Sequence, residues 1–274
     1  MTWRPTLVAL DIDGTLVDRR GHLPKDVRAA VQRVVATDTP VVLATGRAWL
    51  DARPVVEALG LPPGPVICSN GSVMLEFPPL VQHRLATFDP APVIEQIMAL
   101  APNARVAVEE LGVGFRVNRL FPDGDLQGRM TIEPLDELAA QPATRVIVRD
   151  PDANEHDFID LAASIGMHGV SYSVGWSAWL DIAPQGVNKA TALEVVCEQL
   201  GVSSHDVLAL GDGRNDIEML AWAGRGVAMG DAPWEVQAAA SDVAANFEDG
   251  GTVLELDRWF AFARNRHEPA RRSA

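Results

Sequence analysis

Two aspartates one residue apart, in the run Asp11-Ile12-Asp13-Gly14-Thr15-Leu16, follow directly on the apolar stretch Leu7–Leu10. A short apolar run reads as a buried strand, so both carboxylates leave the carboxyl end of a strand, where open α/β sheets bind their ligands. Two like charges in one glycine turn repel each other unless a divalent cation neutralises them. An all-oxygen donor set then selects a hard ion, magnesium (Mg2+). The bland alternative is a solvated turn in which an aspartate caps a helix.

A second acidic cluster, Gly211-Asp212-Gly213-Arg214-Asn215-Asp216, follows the apolar run at 207–210. The ends of parallel strands can be neighbours, so Asp212 can complete a metal site begun by Asp11 and Asp13. Asp216 lies beside it at the start of the next helical segment, where capping is the ordinary role. Thr45-Gly46-Arg47 ends a third apolar run and offers a hydroxyl and backbone amides of the kind that hold phosphate oxygens, although a plain capping turn has the same composition. Lys189 opens a helical segment, where a cation opposes the helix dipole. That position points away from local stability, although an exposed lysine is the commoner case.

The elements that must position these residues alternate. Apolar runs at 7–10, 41–44 and 66–68 are separated by helical periodicity at 24–36 and 49–59, which predicts a parallel sheet with helices packed on it. At 73–81 the pattern becomes a hairpin around Pro78-Pro79. From 86 to 182 the elements are mixed, with a helix near 93–100, strands at 105–108, 114–117 and 145–148, and a helix at 158–165. The alternation resumes with a helix at 189–200, a strand at 207–210, a helix from Asp216, a strand at 226–229 and a helix from Pro233. The expected fold class is α/β: a doubly wound, Rossmann-like parallel-sheet core made of 1–85 and 183–264, with an inserted α+β cap domain at 86–182. The polar, basic stretch 265–274 reads as a solvated, disordered tail.

The chain has 274 residues and a formal net charge of -14. That charge repels nucleic acid and anionic membrane, so an anionic substrate must be met by a local cluster of cations or metal. Cys68 and Cys197 lie far apart among apolar residues and read as buried core. The six histidines are scattered and argue against a histidine-bound zinc site. Trp176 and Trp179 read as packing aromatics, and Arg116, Arg119, Arg129 and Arg149 as solvated cations. With no apolar run long enough to span a bilayer and no leader pattern before the first strand, a cytoplasmic protein is expected.

DIDGTL, then TGR, then the lysine in GVNKATAL, then GDGRNDIEML resembles the four motifs of the haloacid dehalogenase superfamily, in order and in spacing. The SNG run after the third strand and the large insert are similar to its Cof-type branch. The resemblance implies that Asp11 is the nucleophile and a metal ligand. Asp13 would be the acid/base and a ligand through its backbone carbonyl, and Asp212 the third ligand. Asp216 would be an alternate ligand or support the others from behind. It also implies phosphate contacts from the Ile12 amide, Thr45, Gly46, Lys189 and Asn215, with Arg47 and Asn70 secondary to these. The implied activity is magnesium-dependent hydrolysis of a small phosphorylated metabolite through an aspartyl phosphate. A sugar phosphomutase of the same superfamily and a receiver-like phospho-binding module are the alternatives.

Overall fold

The computed structural model describes residues 3–122, 124, 126–150, 170–174 and 179–261. Along the chain run β1 (Leu7–Leu10), α1 (Lys25–Val35), β2 (Val41–Ala44), α2 (Trp49–Leu59), β3 (Gly64–Cys68), β4 (Val73–Phe77) and β5 (Val81–Leu85). There follow α3 (Ala91–Leu100), β6 (Arg105–Glu110), β7 (Gly114–Val117), β8 (Arg129–Ile132), α4 (Leu135–Ala139), β9 (Val146–Arg149), β10 (Val170–Val174) and β11 (Trp179–Pro184). The described chain closes with α5 (Lys189–Leu200), β12 (Val207–Gly211), α6 (Ile217–Trp222), β13 (Arg225–Ala228), α7 (Trp234–Ala239), β14 (Asp242–Val243) and α8 (Gly251–Phe260).

Among the described residues, eight strands form one sheet in the order β14-β13-β12-β1-β2-β3-β4-β5. The pairs from β14 to β3 are parallel, and β4 and β5 add an antiparallel hairpin at the edge. β1 shows why the apolar runs do not alternate: Val8 and Leu10 pack on one face with α1, α2 and α8, while Leu7 and Ala9 pack on the other with α5, α6 and α7. A strand buried on both faces has no polar side to show. From β1 the chain winds through β2 and β3 to one side, and from β12 through β13 and β14 to the other. The order therefore reverses between β1 and β12, the crevice where doubly wound sheets bind ligands.

Six further strands form a second sheet, β10-β11-β9-β6-β7-β8, mostly antiparallel. One face, with Val106, Val108, Val146, Val148, Leu180 and Ile182, is covered by α3 and α4. The other carries Ala107, Phe115, Val117, Phe121, Leu126 and Ile147, and the residue packed into that group from the larger sheet's side is Ala48, just before α2. The second sheet thus turns this face toward the first. Its last strand runs on to Pro184.

Some elements depart from the sequence pattern. β8, α4, β10 and β11 are not among the expected elements: β8 and α4 are short, whereas Val170-Ser171-Tyr172-Ser173-Val174 of β10 does alternate as a strand should. The helix expected from Asp216 begins at Ile217, because Asp216 closes a tight 3-10 turn with its side chain folded inward. The helix expected at 158–165, Trp176 and the tail lie outside the described residues. No helix among the described residues is long and apolar enough to cross a membrane.

Candidate active site

Asp11 emerges from β1 with its N–H bonded to the Leu210 carbonyl at 3.0 Å, so the two strands that flank the reversal point meet at this residue. Lys189, the first residue of α5, is fully buried. Its Nζ donates to Asp11 Oδ1 and to Asp216 Oδ1, each at 2.6 Å. Burial opposes the charge on Lys189, yet the two carboxylates outweigh it and hold the ammonium above its ordinary range. An ion pair therefore explains the lysine at a helix start. The second Asp216 oxygen accepts the N–H groups of Asp212, at 3.0 Å, and Gly213, at 2.9 Å. Both oxygens of Asp216 are thus used within the protein, and it braces the turn that carries Asp212.

Carboxylate oxygens of Asp11, Asp212 and Asp216 lie within 4.8 Å of one another. With all three carboxylates ionised, one ammonium would leave two negative charges in a largely buried place. Burial, followed by repulsion from neighbouring carboxylates, pushes Asp212 up to about 8. Burial likewise pushes Asp11 up to about 7, with Lys189 pulling the other way and Asp216 and Asp13 adding to the rise. Such a donor set of hard oxygens, two charges in excess, fits a divalent cation of the magnesium type.

Gly14 permits this approach. It sits at φ +65, and a β-carbon there would overlap the Asp212 carboxylate. Gly14→Ala is therefore expected to displace Asp212 and to lower kcat/KM by about a hundredfold. Left-handed strain should add a stability loss of about 1–3 kcal/mol. Steady-state kinetics and thermal unfolding check both, and wild-type values would refute the close approach.

The Asp13 side chain stands apart from the trio. It is half exposed and paired with Arg47, whose Nε and Nη2 donate to its two oxygens at 2.8 and 2.6 Å. Thr45 is buried, and its Oγ1 accepts the Arg47 N–H at 3.1 Å. A β-carbon on Gly46 would come within 3.0 Å of Asn215 Nδ2 and 3.1 Å of Asn70 Oδ1. Those two amides bond to each other at 2.9 Å. The Ile12 side chain is core, and its carbonyl closes the turn by accepting from Leu16 and Val17.

The structure thus brings Asp11, Lys189, Asp212 and Asp216 together, and Gly46, Asn70 and Asn215 together, with Asp13 held at one side by Arg47. Ser69, in the SNG run, belongs to a largely buried polar group whose other members, Glu109, Thr144, Arg145 and Asp181, no motif marks. A signal was there: Glu109 interrupts the apolar strand after Val108. Arg116 and Arg129 pair with Glu133 and Glu110, and both cysteines are buried and free.

The four motif segments, the reversal point and the inserted sheet define one kind of molecule: the chain belongs to the family of haloacid dehalogenase-like hydrolases, whose model matches residues 8–110 and 124–256. Its relatives include a phosphoglycolate phosphatase of Aeropyrum pernix, 31% identical with 94% of this chain and 95% of that protein covered. An HMP-PP phosphatase of Serratia proteamaculans is 29% identical, with 82% and 84% covered. Among solved structures, a phosphatase of the haloalkanoate (HAD) enzyme superfamily from Bacteroides thetaiotaomicron is similar at a TM-score of 0.76 and 26% identity, with 92% and 94% covered.

Proposed function

We propose that this chain is a magnesium-dependent phosphatase that hydrolyses a phosphomonoester of a small metabolite through an aspartyl phosphate on Asp11. The observation that carries the reading is the largely buried trio of carboxylates served by the Lys189 ammonium, at the crevice where the strand order reverses. The relatives named for phosphoglycolate and HMP-PP support a small phosphorylated metabolite as substrate.

Phosphoryl transfer needs alignment and charge stabilisation more than covalent chemistry from the protein. Asp11 supplies the attacking oxygen, and the Asp11–phosphoryl bond forms as the bond to the leaving oxygen breaks. Asp13 gives a proton to that oxygen, then takes one from the water that opens the acyl phosphate. Lys189 fixes Asp11 and lends its charge to the phosphoryl oxygens, with the Ile12 amide, Thr45, Gly46 and Asn215 as further contacts. Magnesium, held by Asp11, Asp212 and the Asp13 carbonyl with Asp216 behind them, would neutralise the charge on those oxygens. We take the inserted segment, 86–182 extended to the end of β11 at Pro184, as the cap that selects the leaving group.

The test is phosphate release from a panel of sugar phosphates, phosphoglycolate, nucleotides, cofactor phosphates and an aryl phosphate. Release with magnesium and its loss in excess chelator are expected. Full turnover in chelator would sink the metal assignment, and retention of phosphate with bisphosphate dependence would indicate a mutase instead.

A further inference from the structure

Glu109 lies on β6, on the face turned toward the larger sheet, and is only 7% exposed. One of its oxygens, Oε1, is buried without a hydrogen-bond partner. Packing alone would be served at less cost by an apolar residue, so a carboxylate kept there is a sign of function. Its other oxygen accepts from Ser69 Oγ at 2.7 Å and from Thr144 Oγ1 at 3.3 Å. Thr144 and Arg145 lead into β9, and Arg145 grips Asp181 of β11 with two bonds of 2.5 and 2.8 Å. Glu109 is therefore braced from behind by its own sheet and reaches forward to one hydroxyl of the other.

That hydroxyl belongs to an unusual turn. Ser69 and Asn70 are consecutive residues at φ 49 and 53; asparagine takes this left-handed conformation readily, whereas serine keeps it only where the surroundings impose it. Here the surroundings are the phosphate end of the site. The Ser69 N–H donates to the Arg47 carbonyl at 2.9 Å and the Asn70 N–H to the Thr45 carbonyl at 3.0 Å. Asn70 Oδ1 accepts from Asn215 at 2.9 Å, and Gly71 backs directly onto the Asn188 carbonyl, next to Lys189. One turn thus touches the segments that follow β2 and β12 and the residue just before Lys189 at the start of α5.

We infer that Glu109 is a positioning residue for phosphate hydrolysis: by holding the Ser69 hydroxyl, it fixes the left-handed turn and so sets the Asn70–Asn215 amide pair against Gly46. The inference rests on the phosphatase reading. It makes the inserted sheet a support for the phosphate end of the site as well as for the leaving group. Because the turn serves the phosphate end, its loss affects every substrate alike.

The test compares Ser69→Ala, Glu109→Ala, Glu109→Gln and the double variant Ser69→Ala/Glu109→Ala in the full chain. An aryl phosphate and one good metabolite serve as substrates, and inorganic phosphate as inhibitor. Each alanine variant is expected to lose about tenfold in kcat/KM, by the same factor for both substrates, and to bind inorganic phosphate more weakly. The double variant should be no worse than the weaker single one, since both remove the same interaction. Glu109→Gln keeps an acceptor for Ser69 and should recover most of the activity. Wild-type kinetics and phosphate inhibition in Ser69→Ala overturn the inference. So do multiplying losses in the double variant, or a changed substrate ranking with normal aryl phosphate turnover. If Glu109→Ala does not fold, Ser69→Ala and Glu109→Gln decide alone. A wild type that releases phosphate from no substrate overturns the phosphatase reading and the inference with it, whereas an active wild type beside an unaffected Ser69→Ala overturns the inference alone.

Discussion

Lys189→Met is expected to lower kcat by about 10²- to 10³-fold and at the same time to make stability depend on magnesium. The two effects share a cause. Lys189 is fully buried between Asp11 and Asp216, and methionine fills much of the same volume without opening a cavity. What disappears is the ammonium, and breaking a buried ion pair from one side costs about 3–5 kcal/mol. Without metal, Asp11 and Asp212 are already raised from 3.8 to about 7 and about 8, so the folded state holds protons that the unfolded chain releases. Stability from these groups is fully present below 3.8 and is lost as pH climbs through about 7 and 8. In chelator the variant should therefore melt well below the wild type at pH 8.5 and closer to it at pH 5, and magnesium should restore part of the difference. Thermal unfolding at the two pH values, with and without magnesium, measures this. A variant with normal turnover, or with no stability response to pH and metal, would contradict the assignment.

Asp11→Asn should abolish turnover with every leaving group, while leaving the fold at least as stable as the wild type in chelator. The amide keeps the shape of a carboxyl whose charge is disfavoured by burial, but it cannot attack phosphorus. Asp13→Asn removes only the acid/base. Its side chain is half exposed beside Arg47, so the change opens no cavity and leaves the Asp13 carbonyl in place. With an aryl phosphate, whose leaving group needs little protonation, Asp13→Asn should still be phosphorylated and should then stall. Mass spectrometry after rapid quench is expected to find one added phosphoryl group on the Asp11 peptide of Asp13→Asn and none in Asp11→Asn. Phosphorylation at another residue would overturn the proposed chemistry.

Much of the core is legible because its strands are buried on both faces and its helices carry one apolar stripe, so β1, β2, α2 and α5 stand out in the residue pattern. Gly60 at φ 64 ends α2 as a glycine should. The segments after β1, β2 and β12 are legible for a related reason: acidic, hydroxyl and glycine residues directly after an apolar strand have little to do in packing. The inserted sheet is less so. Its short β8 and α4 hold too few residues to set a period, and its polar groups have meaning only through register. Glu109 shares a face with Ala107, and Arg145 and Asp181 reach that same face from other strands. Arg47, a secondary candidate by sequence, clasps Asp13, a contact that depends on how a loop bends.

β1 has one neighbour close in sequence, β2, and another very far away, since Leu7 pairs with Val207. The six-stranded sheet by contrast closes entirely within residues 105–184. A chain emerging from the ribosome can therefore complete the inserted sheet while the central strand of the other still has an open edge. Lys189, Asp212 and Asp216 all follow the inserted sheet in the chain, so the acidic cluster around Asp11 assembles, and its repulsion begins, only after that sheet has been made. Closure of such distant pairs is slow relative to local hairpins. Phosphatase activity should accordingly be the last property to return during refolding, after the compact insert has formed and after most of the helical signal has recovered.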